Sequence, residues 1–275
     1  RRCRRSADRA WQLMRSFLSR IFGSRPQGPD PIRDRGRPPS GNGASSLHIM
    51  WEVPSQPWRA VRATLEVVEP PSTNDLYFFA LQATFAGAGR HHGGAHVGLQ
   101  WNQRFPNNTA VNWGGYRSQD LGGQVLDGSE SALPSLPADP NTRDYPWQPA
   151  RAYRLTIEPG DEPGWWLGLI EDLATGSATR IRELHGGGDS LVSPMVWAEV
   201  FAPCDAPSVM IRWTDFQVAG AGGHWKNVNR ARARYQRFRD GGCTNTTSTA
   251  DDAGGFVQIT NSHRVNPDGA PLRAS

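Results

Sequence analysis

From residue 59 to 68 the chain reads RAVRATLEVV, with Val61, Ala63, Leu65 and Val67 alternating with Arg62, Thr64 and Glu66. A period of two puts apolar side chains on one face of a strand and polar ones on the other. LYFFALQATF (76–85) is almost continuously apolar, the pattern of a central strand covered on both faces. The same reading predicts strands at 47–53, 96–102, 110–116, 153–158, 165–172, 178–184, 194–201 and 208–218. Thr175-Gly176 supplies the left-handed residue of a tight hairpin. The alternation of Val209, Ile211 and Trp213 fails around Thr214, which calls for a bulge or a strand covered on both sides.

About ten short strands, with no amphipathic helix between them, exclude a βαβ fold and predict an all-β protein. Its expected form is a two-sheet antiparallel β-sandwich, or jelly roll. No fixed-period repeat speaks for a propeller. AGAGRHHGGA (86–95) and PPSTND (70–75) read as loops. So does 117–150, whose length marks a functional or disordered segment. Residues 1–46 are rich in Arg, Pro and Gly and read as a disordered leader, leaving 47–223 as the sandwich. Residues 224–275 read as an extension that docks in part, with a short helix or arm at 224–240 and one late strand in GFVQITNSHRV (255–265).

The net charge of +4 hides an asymmetry. Residues 1–46 hold eleven Arg and three Asp, whereas 47–223 hold eleven Arg against nineteen acids. The basic character therefore belongs to the ends. An acidic central domain offers no basic stripe, so no specific nucleic-acid partner is expected. Lys226 is the single lysine. No run of eighteen apolar residues encodes a transmembrane segment. WQLMRSFLSRIFG (11–23), interrupted by Arg15 and Arg20, fails as a signal-peptide core. The chain opens RRCRRS, and Met14 and Met50 are alternative starts. Setting Cys3 aside leaves Cys204 and Cys243, either two free thiols or a disulfide. The oxidised pair would fit an extracytoplasmic or secreted protein.

Candidate chemistry centres on HVGLQWNQRFPNNTAVNWGGY (96–116). With Val97, Leu99 and Trp101 pointing into the core, strand parity turns His96, Gly98, Gln100 and Asn102 the other way. On the partner strand Val111 and Trp113 share one face and Asn112 and Gly114 the other, so Gln100 and Asn112 lie on one polar face with Gln82 of the neighbouring strand. Together with Asn102, Trp113, Tyr116 and Glu199, these form the candidate ligand-binding set, because amides hydrogen-bond sugar hydroxyls and aromatic faces stack on sugar rings. The alternative is that the amides serve neighbouring backbone on a half-exposed sheet. Glu199, in VWAEV, is the best single carboxylate. Paired acid and base carboxyls would need an E-x-D spacing on one strand, and none occurs. No nucleophile motif or phosphate loop is present. His91, His92 and His96 suit a metal by ligand type, but the Gly-Gly between them reads as a solvated loop. STND (72–75) and LHGGGDS (184–190) are weak candidates for Ca2+, without the DxDxDG spacing; no cofactor or metal is expected.

WWLGLIEDLATGSATRIREL followed by PMVWAEV resembles concanavalin A-like jelly-roll domains of the laminin-G and lectin/glucanase type. HVGLQWN…AVNWGGY resembles part of a poorly characterised secreted bacterial family of that fold. The resemblance spans about 47–220 and implies a concave face that takes carbohydrate. The glucanase branch carries an E-x-D-x-x-E strand, which this chain lacks. The expectation is therefore a non-catalytic carbohydrate-binding or cell-surface recognition module, with polysaccharide or glycan as partner. The alternatives are a glycoside hydrolase or lyase, or a structural protein-interaction domain.

Overall fold

The computed structural model describes residues 31–274. Sixteen strands build two antiparallel sheets among the described residues. They run β1 (Ser45–Trp51), β2 (Ala60–Glu69), β3 (Tyr77–Gly87), β4 (Arg90–Trp101), β5 (Thr109–Arg117), β6 (Thr142–Asp144), β7 (Ala152–Pro159) and β8 (Trp165–Asp172). There follow β9 (Ser177–His185), β10 (Ser190–Val200), β11 (Met210–Ala219), β12 (Trp225–Asn227), β13 (Arg230–Tyr235), β14 (Thr247–Ala250), β15 (Phe256–Ile259) and β16 (Pro271–Arg273). The front sheet has the order β16-β13-β1-β10-β3-β4-β5-β6. The back sheet has the order β14-β15-β11-β2-β7-β8-β9, with β12 also on β11. No helix among the described residues is long and apolar enough to cross a membrane.

The core lies between the sheets and is made of the residues that the period-two pattern sends inward. Leu47, Phe79, Leu81, Val97 and Val111 of the front sheet meet Val61, Leu65, Leu155, Ile157 and Ile211 of the back sheet, all essentially buried. Trp113 is fully buried here, against Gly168 of β8. A Cβ at Gly168 would lie 2.5 Å from the indole, so the ring occupies the place a side chain would take. The expected break in β11 is a register shift between Thr214 and Gln217, with Asp215 at φ 52°.

Several expectations change. RHHGGA is strand, because Ala88 and Gly89, both at positive φ, close a two-residue turn between β3 and β4. Gly93 and Gly94 then lie within the ladder, where a Cβ on Gly93 would stand 2.0 Å from the Tyr116 carbonyl. The composition assigns 31–46 to a disordered leader, yet this segment is laid along the sandwich by polar contacts. The Arg33 guanidinium donates to the carbonyls of Phe238 and Gly242, Cys204 N–H donates to Gly36 O, and Arg37 pairs with Asp75. The expected leader segment 1–30, including the 11–23 stretch and Cys3, lies outside the described residues. The 224–275 segment supplies β12–β16 and extends both sheets, where the pattern suggested one strand. A disulfide joins Cys204 to Cys243, tying the end of β10 to the loop before β14.

The 117–150 segment bridges the sheets at one side. Its β6 pairs with β5, Tyr116 bridges to Val125, and Gly128 bridges to Leu184 of β9. Trp147 and Leu126 are buried in the core.

Candidate functional site

Residues that β1, β10, β3, β4 and β5 turn away from the core share the outer face of the front sheet. Strand register arranges them in rows. One row runs Ser46, Glu199, Phe78, Gln100, Ala110. The next runs His48, Trp197, Ala80, Gly98, Asn112, Thr142. A third runs Met50, Met195, Gln82, His96, Gly114, and Tyr116 stands one row further on. The structure therefore brings Gln82, Gln100, Asn112, Tyr116 and Glu199 onto one face. It does not bring Trp113 there: odd parity on β5 buries that ring between the sheets, which corrects its place in the candidate set. Asn102 lies just past β4 and reaches back to the face through Gln100.

Ala80 and Gly98 form a low floor at the centre, and three rings lean over it. Phe78 meets Trp197 edge-on at 4.9 Å and His96 at 5.3 Å, and His96 meets Trp197 at 5.5 Å. Phe78 and Trp197 make with Met195 and Ala80 a second buried apolar cluster, separate from the main core. Sequence reasoning placed Phe78 and His96 on this face and did not single out Trp197. The signal for Trp197 was the parity it shares with Glu199, two positions on along the same strand.

The amides bond inward to this assembly. Trp197 Nε1 donates to Gln82 Oε1 at 2.9 Å, Asn102 Nδ2 donates to Gln100 Oε1 at 2.9 Å, and Asn112 Nδ2 donates to Thr142 Oγ1 at 2.9 Å. Gln82, Gln100, Asn102 and Asn112 are all buried. They make a buried polar scaffold in which Asn112 Oδ1 is left without a partner. The groups on the face with partial exposure are Glu199, Tyr116, Met50 and Thr84.

As far as β5, Glu199 is the one carboxyl within the three rows. Asn42 Nδ2 donates to Glu199 Oε1 at 2.8 Å. Asn42 is itself fixed, since its Oδ1 accepts from Ser40 Oγ at 2.8 Å and from the Ala44 N–H at 3.0 Å. Burial drives the Glu199 carboxyl up to about 7, against a smaller lowering by the Asn42 amide. Burial pushes the Tyr116 phenol up to about 12, with the Glu199 charge adding to the effect. Burial holds His96 down at about 4, and the nearby Asn112 amide opposes this weakly. Its ring is thus neutral at physiological pH and belongs to the aromatic cluster. The nearest outer-face carboxyl along the same row is Asp144, opposite Ala110. Four strand spacings separate it from Glu199, or roughly 19 Å at about 4.8 Å each, beyond the span of a paired acid and base.

Among the described residues no group of three or more His, Cys, Asp or Glu is placed to hold a metal ion.

No family model matches the chain, and no curated protein matches it. Among solved structures, a scytalido-glutamic peptidase bound to a peptide-based transition-state analogue is 10% identical, covering 79% of this chain and 97% of its own, at TM-score 0.43. SCP-B, of the eqolisin peptidase family and bound to the tripeptide Ala-Ile-His, is 9% identical over 79% and 96%, at 0.41. The basic winged bean lectin with Tn-antigen is 11% identical over 83% and 88%, at 0.27. These likenesses carry no activity to this chain.

Proposed function

We propose that the outer face of the front sheet is a carbohydrate-binding surface, of concanavalin A-like character, on which Glu199 is the central polar contact. The observation that carries this reading is the placement of Glu199. Its carboxyl sits partly buried on a sheet face, beside the Phe78, His96 and Trp197 cluster and aimed by Asn42. Near neutrality such a carboxyl both donates and accepts hydrogen bonds, which suits a ligand dense in hydroxyl groups. The buried amides keep the rings in place, and Glu199, Asn42 and Tyr116 meet the ligand. A glycan array and polysaccharide pull-downs test this with the intact chain. Retention of a glycan class that Glu199→Ala and Tyr116→Phe weaken at least tenfold supports the reading. A folded protein that retains no glycan refutes it.

One observation favours a second reading, a polysaccharide-acting hydrolase. A carboxyl raised to about 7 is matched to donating a proton near neutral pH. Turnover of a polysaccharide panel that disappears in Glu199→Gln would replace binding by catalysis. Turnover unchanged in that variant would remove Glu199 from the chemistry.

A further inference from the structure

Away from the outer face, two arginines stand near one another at the side of the sandwich that 117–150 closes, close enough that the charge of one acts on the other. Arg143 on β6 lies opposite Val111, whose side chain is in the core. Arg182 on β9 lies opposite Gly168, whose Cβ direction faces Trp113. Both side chains therefore project into the space between the sheets, and both are more than nine-tenths buried, at 6% and 8% exposure.

The turn at 139–142 lies between them. Arg182 Nη2 donates to Asn141 Oδ1 at 2.7 Å, while Arg143 Nη1 donates to the carbonyls of Thr142 at 3.1 Å and Asp139 at 3.4 Å. Arg182 Nε, equally buried, has no partner. A guanidinium carries five N–H donors, and of the buried nitrogens of this pair Arg182 Nε is the one left without an acceptor.

The charge is also incompletely matched, one acid serving several arginines. Neither arginine forms an ion pair among the described residues. Asp139 is the acid whose charge reaches both. Its Oδ1 already accepts from the N–H groups of Asn141 and Thr142, and its Oδ2 stands 4.0 Å from Arg104. Burial, and after it the Arg143 charge, holds Arg182 down at about 10, which still leaves it protonated at neutral pH. A buried cation beside a second cation is stable only when something anionic pairs with them.

We propose that Arg143 and Arg182 bind a small inorganic anion between the two sheets, pinning the 117–150 segment to the edge of β9. Gly128 packs closely on the Arg182 guanidinium, where a Cβ would stand 2.6 Å from Nη1, so the proposal is confined to the smallest anions, a halide or a compact oxyanion.

The test is thermal unfolding of the intact chain in millimolar chloride or sulfate, with ionic strength held constant by gluconate. Binding to the native state alone raises the midpoint with anion concentration by mass action. The expected result is such a rise with chloride, sulfate or both, lost in Arg182→Gln and reduced in Arg143→Gln. Equal midpoints for the unmutated chain in all three salts overturn the proposal, as does an undiminished rise in both variants. Should the variants fail to fold, crystals soaked in bromide or selenate decide instead. An anomalous peak within hydrogen-bond reach of Arg182 Nε is expected in one soak, and no peak in either sinks the idea.

Discussion

Replacing Glu199 by Gln keeps the size of the side chain and an oxygen for the Asn42 amide, and removes the titration. In the native protein the carboxyl is raised from 4.5 to about 7, chiefly by burial. A carboxyl raised by folding adds no penalty while it is protonated in both states, below about pH 4.5. As pH rises through that value the unfolded chain ionises and the folded one does not, so stability falls until the folded carboxyl ionises near 7. A shift of that size corresponds to about 3 kcal/mol, at roughly 1.36 kcal/mol per pK unit. Glu199→Gln removes this slope. Urea unfolding of both proteins at pH 4 and pH 8 measures it. The difference in stability, variant minus native, should grow by about 3 kcal/mol in favour of the variant between the two pH values. An unchanged difference would show that the Glu199 environment does not disfavour the anion, and the physical basis of the proposed site would fall with it.

Other perturbations have equally definite outcomes. Burial holds His96 down at about 4 against an ordinary value of 6.5, so the stability it confers is full above 6.5 and lost as pH falls from there through 4. His96→Gln should therefore flatten the acid limb of the stability profile by about 3 kcal/mol, read by urea midpoints between pH 4 and 7. Asn42→Ala removes the donor to Glu199 Oε1 and should move the midpoint of any pH-dependent ligand binding upward, as followed by titration calorimetry. Gly168→Ala drives a methyl into the Trp113 indole and should cost about 1–3 kcal/mol in denaturant unfolding while leaving outer-face binding intact. Reducing the Cys204–Cys243 bridge, with its sequence separation of 39, should cost roughly 3–4 kcal/mol in the loop-entropy model, measured by unfolding with and without reductant.

The sandwich was legible because period-two alternation is local. Val61 to Val67, or the paired strands around Trp101 and Thr109, declare their faces without help from distant residues. The same parity had already put Trp113 beside Val111 on the inner face, yet its aromatic character drew it into the binding set. Geometry is the stronger signal there, and Gly168, which makes room for the ring, is far away in sequence. Glycine misled at 93–94 because its usual role as loop punctuation matched its composition, whereas its use here is the close approach of backbone within a ladder. The late strands β12, β14, β15 and β16 span only three or four residues each, too short for alternation to be read.

Glu199 shows where local reading stops. Its flanking apolar residues marked it as the one carboxyl on a sheet face, and its register opposite Phe78 follows from strand order. The residue that aims it, Asn42, stands 157 positions earlier in a stretch of Gly and Ser whose composition offers nothing to bury. That stretch is ordered by hydrogen bonds to residues that are 157 to 211 positions distant, among them Glu199, Cys204 and Thr244. Polar contacts between segments so far apart leave no periodic trace. The site therefore depends on closure of the whole sandwich: the carboxyl comes from β10, its donor from the entry to β1, and its aromatic neighbours from β3 and β4. Nothing shorter than the folded domain holds Glu199 in the state that the proposed binding requires.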